Sequence, residues 1–309
     1  MNLRLKPSIA ALTCCLLVNL VSAQTTQESS RFLRFVPDDN NGGVLEASVV
    51  TYRNAAGQTV DLIAAVHVAD KSFYRDLNKS FEQYDALLYE MVKPKDMSPA
   101  ERTSRGPAGL KDLSRPMGWV GVLQQFMKNT LELSFQLEEI DYSKPNFVHA
   151  DLDLETFQKM QADRGESILM LMFQQIIREM TREQQPGMAE PDGFTLLYAL
   201  QAPDRGRQLK LVIGRQFNQM EDMMADLGGP GGTVLLTERN RAALATLRKR
   251  LDAGDKKVGI FYGAGHLKEM EKDLIGLMGF KQVGEPHWRV AWDMRIKSPA
   301  TQPTTSPMR

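Results

Sequence analysis

Thiol chemistry is missing from nearly the whole chain. Of 309 residues only Cys14 and Cys15 are cysteine, and both lie in one apolar stretch near the start. Nothing beyond residue 15 can therefore supply a thiolate nucleophile, a thiolate metal ligand, a disulfide or a redox pair. Any metal would have to be held by His, Asp and Glu. Net charge is missing as well, because 38 basic residues balance 38 acidic ones. That balance leaves no global field to draw in a polyanion, so no nucleic-acid partner is expected. No Gly-x-Ser-x-Gly elbow occurs, which leaves a serine hydrolase without an evident nucleophile. The run GGPGG at 228–232 lacks the Lys and Ser or Thr of a phosphate loop and reads as a hinge. Histidine is scarce, with four in the chain.

What is present suits one packed α/β domain: hydrophobic residues make up 42% and charged residues 25%. Arg4 and Lys6 precede an apolar stretch from Ile9 to Val21, and Val21-Ser22-Ala23 offers the small residues that a signal peptidase reads. Residues 1–23 are thus expected to be a cleaved secretory signal, with an uncleaved anchor as the alternative, and the protein to be secreted or periplasmic. The stretch is short for a bilayer and is interrupted by Thr13 and Asn19. Residues 24–44 read as a linker and 45–294 as a single domain. The Pro-, Ser- and Thr-rich tail at 295–309 has too little apolar surface to order itself.

Within the domain, LEASVVTYRNAAGQTVDLIAAVH reads as two strands around a turn at Asn54–Gly57. Phe73, Leu77, Phe81 and Tyr84 fall on one face of a helix capped by Asp70, and ALLYEMV forms a third strand. The breaker-rich stretch Lys93–Pro116 reads as a lid or a solvated insert. Helical patterns follow at 118–139, 154–163, 166–184, 192–201, 204–226 and 233–251, with the run NFVHADLD among them. A strand at KVGIFYG leads into a helix from His266 to Met278, and a closing strand pair lies around 280–283 and 288–293. The expected fold is α/β, a central mostly parallel sheet flanked by helices, with a helical insertion between two strand-turn-His-helix units.

Polar residues end the strands of this scheme. His67 closes LIAAV, Glu90 closes ALLY, His149 closes NFV with Asp151 two residues on, and His266 follows GIFYGAG. Parallel neighbours would bring their carboxyl ends to one edge, where open α/β sheets bind ligands. Imidazoles gathered with carboxylates are ligands for zinc, manganese or cobalt, and a metal-bound water is a nucleophile at neutral pH. Gly263 and Gly265 would let the backbone approach such a site closely. Arg239, beside Glu238 at the start of a helix, is a candidate clamp for a substrate carboxylate or a developing oxyanion. Taken singly, each of these residues is more often a cap, a hydrogen-bonded side chain or a solvated charge than part of a site. His287, in EPHWRV, reads as structural.

The segments AAVHVADKSFYRDL, YDALLYEMV, LEEIDYSKPNFVHADL, TERN and VGIFYGAGHLKEMEKDLIGLMGF together resemble the TraB/GumN group, which includes the TIKI metalloproteases and the pheromone-shutdown proteins. The group carries two Gly-x-x-His motifs, one near each end, and an acidic residue after the strand that follows the first. Gly263 and His266 match the second motif. His67 matches the first, with Ala64 where glycine is usual; a positive φ there would strain alanine by about 1 kcal/mol. Glu90 matches the acid, and Glu238 with Arg239 matches the group's Glu-Arg pair. The resemblance spans about 59–280 and implies an α/β core related to erythromycin esterases and haem-binding ChaN proteins. It implies metal-dependent hydrolysis of a peptide or small-molecule substrate, with His67 and His266 as ligands of a divalent ion (Mn, Co or Zn) and Glu90 as ligand or base. It further implies Arg239 as a clamp, with His149 and Asp151 as additional ligand candidates. A metal-independent esterase-like hydrolase and a non-catalytic haem- or ligand-binding protein remain the alternatives, and the oligomeric state is left open.

Overall fold

The computed structural model describes residues 31–99, 101, 131–166, 198–226 and 231–296. The expected signal segment, most of the 93–116 stretch, the helical patterns at 118–130 and 166–184 beyond residue 166, and the tail past residue 296 lie outside these residues.

Among the described residues ten strands follow in order: β1 (Leu33–Pro37), β2 (Gly43–Arg53), β3 (Thr59–Ala65), β4 (Val68–Ala69), β5 (Ala86–Tyr89), β6 (Ser134–Phe135), β7 (Phe147–His149), β8 (Lys257–Gly263), β9 (Lys281–Gln282) and β10 (His287–Asp293). The helices used below are α1 (Lys71–Phe81), α2 (Gln136–Glu139), α3 (Leu154–Arg164), α4 (Arg205–Asp226), α5 (Arg239–Asp252) and α6 (Ala264–Gly276), with a π-helical turn at Val234–Glu238. The class is α/β, as expected: a mixed sheet in the order β1-β2-β3-β8-β5-β7, in which β3, β8, β5 and β7 run parallel.

The parallel strands carry the core. Every residue of β5 is buried, as are Val258 to Gly263 of β8, and such continuous apolar runs mark strands covered on both faces. Helix α1 buries Phe73, Tyr74, Leu77 and Phe81, and the Phe81 ring sits 5.0 Å from Phe261. Helix α6 buries Leu267, Met270 and Leu274, and α5 packs on β5 and β8. Burial of each such side chain contributes about 1.5–3 kcal/mol.

Several expectations are corrected. The stretch taken as linker contains β1, whose neighbour Phe32 is fully buried and whose backbone pairs antiparallel with β2. Phe32 and Leu33 belong to the core, and Phe35 packs against it. The helical pattern to 139 is broken by β6, which pairs with β4. Asp70 is the N-cap position of α1 but makes no capping bond, because its carboxylate accepts from Lys210 Nζ (3.0 Å) and from the Asp293 amide (2.6 Å). Tyr84 lies beyond the end of α1. The last two strands do not pair with each other; both join β2. Helix α6 begins at Ala264, two residues before His266.

The two His-bearing units differ. His266 stands in the first turn of a helix, whereas His67 lies on a bend before β4, four residues ahead of α1. Ala64 is inside β3, and the positive-φ non-glycine residues are Asn41 and Glu132, so no strain attaches to Ala64. In the β3–β8 ladder it is Ala65, not Ala64, that faces Gly263. Ladder register and motif spacing are thus offset by one residue.

Candidate functional site

The carboxyl edge of the parallel strands gathers His67 from β3, His266 from β8 and Glu90 from β5 around Gly263. A Cβ built on Gly263 would stand 3.2 Å from Glu90 Oε2, 3.6 Å from His67 Nε2 and 3.7 Å from His266 Cδ2. The φ of Gly263 is −50°, so glycine is needed here for space and not for backbone freedom. Its own amide donates to Glu90 Oε2 at 2.7 Å. Gly263→Ala is expected to displace the carboxylate and ring by a few tenths of an ångström and, on the hydrolytic reading proposed below, to lower turnover roughly tenfold with the melting temperature nearly unchanged. Parallel rate and thermal-melt measurements check this, and an unaltered rate contradicts it.

Both imidazoles are held through Nδ1. His266 Nδ1 meets Asn240 Oδ1 at 2.7 Å, while Asn240 Nδ2 donates to Glu269 Oε2 at 2.8 Å. A carboxylate only accepts, so the amide orientation is fixed and His266 carries its proton on Nδ1. Its Nε2 keeps a lone pair, which faces Arg239 Nη1 at 3.5 Å and Glu90 Oε1 at 3.7 Å. His67 Nδ1 meets Gln136 Oε1 at 3.0 Å, and Gln136 also donates Nε2 to the Tyr142 hydroxyl and its backbone amide to the His67 carbonyl. His266 is 6% exposed, whereas His67 is exposed.

Arg239 is the hub. Its Nε and Nη2 bind Asp151 in two-pronged fashion at 2.8 and 2.7 Å, and Nη2 also reaches Glu90 Oε1 at 2.7 Å. Nη1 points to the Leu235 carbonyl and to His266, both at 3.5 Å. Three of its five N–H bonds are thereby committed to carboxylates, and the two on Nη1 make only long contacts at 3.5 Å. Through these bonds Arg239 positions Glu90 and Asp151. The residue is 6% exposed and the Asp151 side chain fully buried. A π-turn immediately precedes Arg239 and supplies Leu235, an irregularity that recurs at functional sites.

Burial opposes ionisation of Glu90, yet His266, Arg239, His67 and the Gly263 amide together hold its carboxyl well below the ordinary range. Burial lowers His266 to about 4, with Arg239 adding to the effect and Glu90 opposing it. Burial also works against the Arg239 charge, but Asp151 and Glu90 more than compensate and raise it. Near neutral pH the cluster thus holds an ionised carboxylate beside a neutral imidazole. Between about 4 and the ordinary 6.5, the unfolded chain binds a proton at residue 266 that the folded one does not. Stability from this group is therefore complete above 6.5 and is lost as pH falls toward 4. The depressed Glu90 acts in the same sense, its contribution being lost as pH falls below 4.5. Urea unfolding of the wild type is expected to weaken more between pH 7 and 4 than that of His266→Gln; equal slopes would remove His266 as the cause.

Other candidates are placed elsewhere. His149 turns away from the cluster and donates Nε2 to the Met91 carbonyl at 2.7 Å, with burial lowering its pKa. Its ladder partner is Tyr89, and paired residues share a face, whereas Glu90 is one residue further along. Glu238 pairs with Arg164 and with Arg241 and does not reach the Gly263 cluster. His287 is exposed on β10. Asp151 does join the site, through Arg239. Sequence reasoning missed Gln136 and Asn240, whose only distinguishing feature is burial in the folded chain.

Above the cluster lies a cavity of about 400 Å³. His67, Glu90, Arg239 and His266 form its polar floor, with Leu33, Val66, Val68, Phe217, Leu236 and Trp292 as apolar walls. Trp292 is fixed by Nε1 donating to the Val68 carbonyl, and its ring meets Phe217 edge-on. Ala264 and Gly265, in the first turn of α6, also line the cavity, and first-turn amides have no intrahelical acceptor.

The donor types suit zinc, manganese or cobalt, and the two Nε2 atoms are available. Glu90, however, already accepts from Arg239 and Gly263, and the guanidinium would oppose a second cation at 3.5 Å from His266. Among the described residues no group of three or more His, Asp or Glu side chains is arranged to hold an ion. With Arg239 where it stands, the donors do not fit a metal. Comparisons of the chain with protein-family models, curated proteins and solved structures find no match.

Proposed function

We propose that the protein is a hydrolase that activates water without a metal and cleaves an ester or peptide bond next to an apolar group. The reading is carried by one observation: two imidazole lone pairs and an ionised carboxylate share the floor of an apolar cavity. His67, the exposed ring, takes the proton of the attacking water at Nε2. Glu90 stabilises the imidazolium that forms, as a buried carboxylate does for a catalytic histidine. His266 orients the water through its own Nε2. The oxyanion falls to the first-turn amides of α6, where the helix dipole adds to their pull. When the tetrahedral species collapses, His67 returns its proton to the departing alcohol or amine. The basic and apolar N-terminal stretch supports export of this activity to a secreted or periplasmic location.

A second reading keeps the metal, as the TraB/GumN resemblance implies. It is favoured by the tethering of both Nδ1 atoms, which turns both Nε2 atoms toward the cavity in the manner of ligating histidines. It requires Arg239 to release Glu90. Hydrolysis of p-nitrophenyl esters of increasing acyl length and of a peptide library is expected to continue in a chelator. Loss of activity in the chelator with recovery on adding manganese or cobalt would transfer the assignment to the metal. Absence of turnover on every ester and peptide, together with a visible absorption band on adding haem, would replace both by a binding role.

A further inference from the structure

Tyr89 and Glu90 are successive residues at the end of β5, so their side chains leave on opposite faces of the chain. Glu90 enters the hydrolytic cavity; Tyr89 enters a different one, of about 690 Å³, on the far side of the β5–β7 edge. Three rings, Tyr89, Tyr142 and Phe147, form one wall of this second cavity, with centroids 5.1–5.9 Å apart. Lys93 also lines it.

Lys93 is 9% exposed, and no carboxylate or other side chain meets its Nζ among the described residues. An ammonium at a cavity wall with no carboxylate on it is open to an anionic partner. Its backbone is pinned, since the Lys93 carbonyl accepts from the Leu154 amide and the residue bridges Asp153, so the side chain starts from a fixed point. The charge of Lys93 reaches His149, where it adds to burial in lowering that ring's pKa. Lys95 and Lys144 bring further positive charge to the lining, against which Asp96 sets one negative charge.

We infer that this second cavity binds a small aromatic anion, its ring on the Tyr89, Tyr142 and Phe147 wall and its carboxylate or phosphate on Lys93. Offset and edge-on aromatic contacts give the ring its place, and a charge-assisted hydrogen bond to the ammonium gives the anionic end its place. The cavity is independent of the hydrolytic reading, although the two touch one chain of hydrogen bonds: Tyr142 receives Gln136 Nε2, and Gln136 holds His67.

Calorimetric titration of the full chain with phenyl phosphate, and separately with inorganic phosphate and phenol, tests the site. Phenyl phosphate is expected to bind more tightly than either half. Lys93→Met is expected to weaken it roughly tenfold or more, Lys93→Arg to restore most of the loss, and Tyr89→Leu to weaken it by removing the wall. His266→Ala is expected to leave the affinity unchanged. No measurable binding to the wild type, equal affinity in Lys93→Met, or loss of binding in His266→Ala would each overturn the assignment, the last by placing the ligand in the hydrolytic cavity. Should Lys93→Met unfold, the comparison of Lys93→Arg and Tyr89→Leu with wild type still decides the matter, because unchanged binding in Tyr89→Leu removes the aromatic wall from the site.

Discussion

Arg239→Met is expected to destabilise the protein by roughly 3–5 kcal/mol, the range for removing one partner from a buried charge cluster. The methionine fills most of the volume, so the loss comes from charge and not from a void. Two carboxylates are left behind: Asp151, whose side chain has no exposure, and Glu90, 10% exposed. Their replacement partners are few, because His266 is neutral at working pH and the Gly263 amide already serves Glu90. The Arg239→Met, Asp151→Asn pair should recover part of the loss, since removal of both ends of a buried interaction costs less than removal of one. Urea denaturation of the wild type, both single variants and the double variant completes the cycle. A loss under about 1 kcal/mol for Arg239→Met would show that water or rearranged side chains solvate the carboxylates and that the guanidinium is not their main counter-ion.

The parts of this molecule legible in the sequence are those set by short-range pattern. The continuous apolar runs of β3, β5 and β8 announce strands covered on both faces, and the polar residue after each one falls at the carboxyl edge by topology alone. His67, Glu90 and His266 group by this pattern alone. Direction across the sheet is set by register, which spacing does not reveal. His149 therefore belongs to the Tyr89 face although it ends its strand as the others do. Long-range partners were hidden for a related reason. Gln136 and Asn240 are ordinary amides in the sequence, and their role exists only because β6 docks on β4 and α5 packs beside α6. Arg239 stands beside Glu90, but its two-pronged bond goes to Asp151, 88 residues away, a pairing that no local pattern reveals.

The two histidines separate by accessibility, and that difference makes the rate predictions sharp. His67→Ala and His266→Ala are each expected to lower kcat by about 10²–10⁴, the range associated with a positioned acid–base group. Exposed His67 leaves a gap that a small molecule can enter, so added imidazole should return part of the activity to His67→Ala. Buried His266 offers no such route, and the same addition should do nothing for His266→Ala. Asn240→Leu touches no substrate yet removes the acceptor that fixes the Nδ1 proton, so its effect should fall on kcat with KM preserved and should move the acid limb of the rate profile. Circular dichroism confirms that each variant is folded before rates are compared. Full activity in either alanine variant would dismantle the shared-imidazole mechanism. Rescue of His266→Ala but not of His67→Ala would exchange their roles, making the inner ring the base and the outer one the group that orients water.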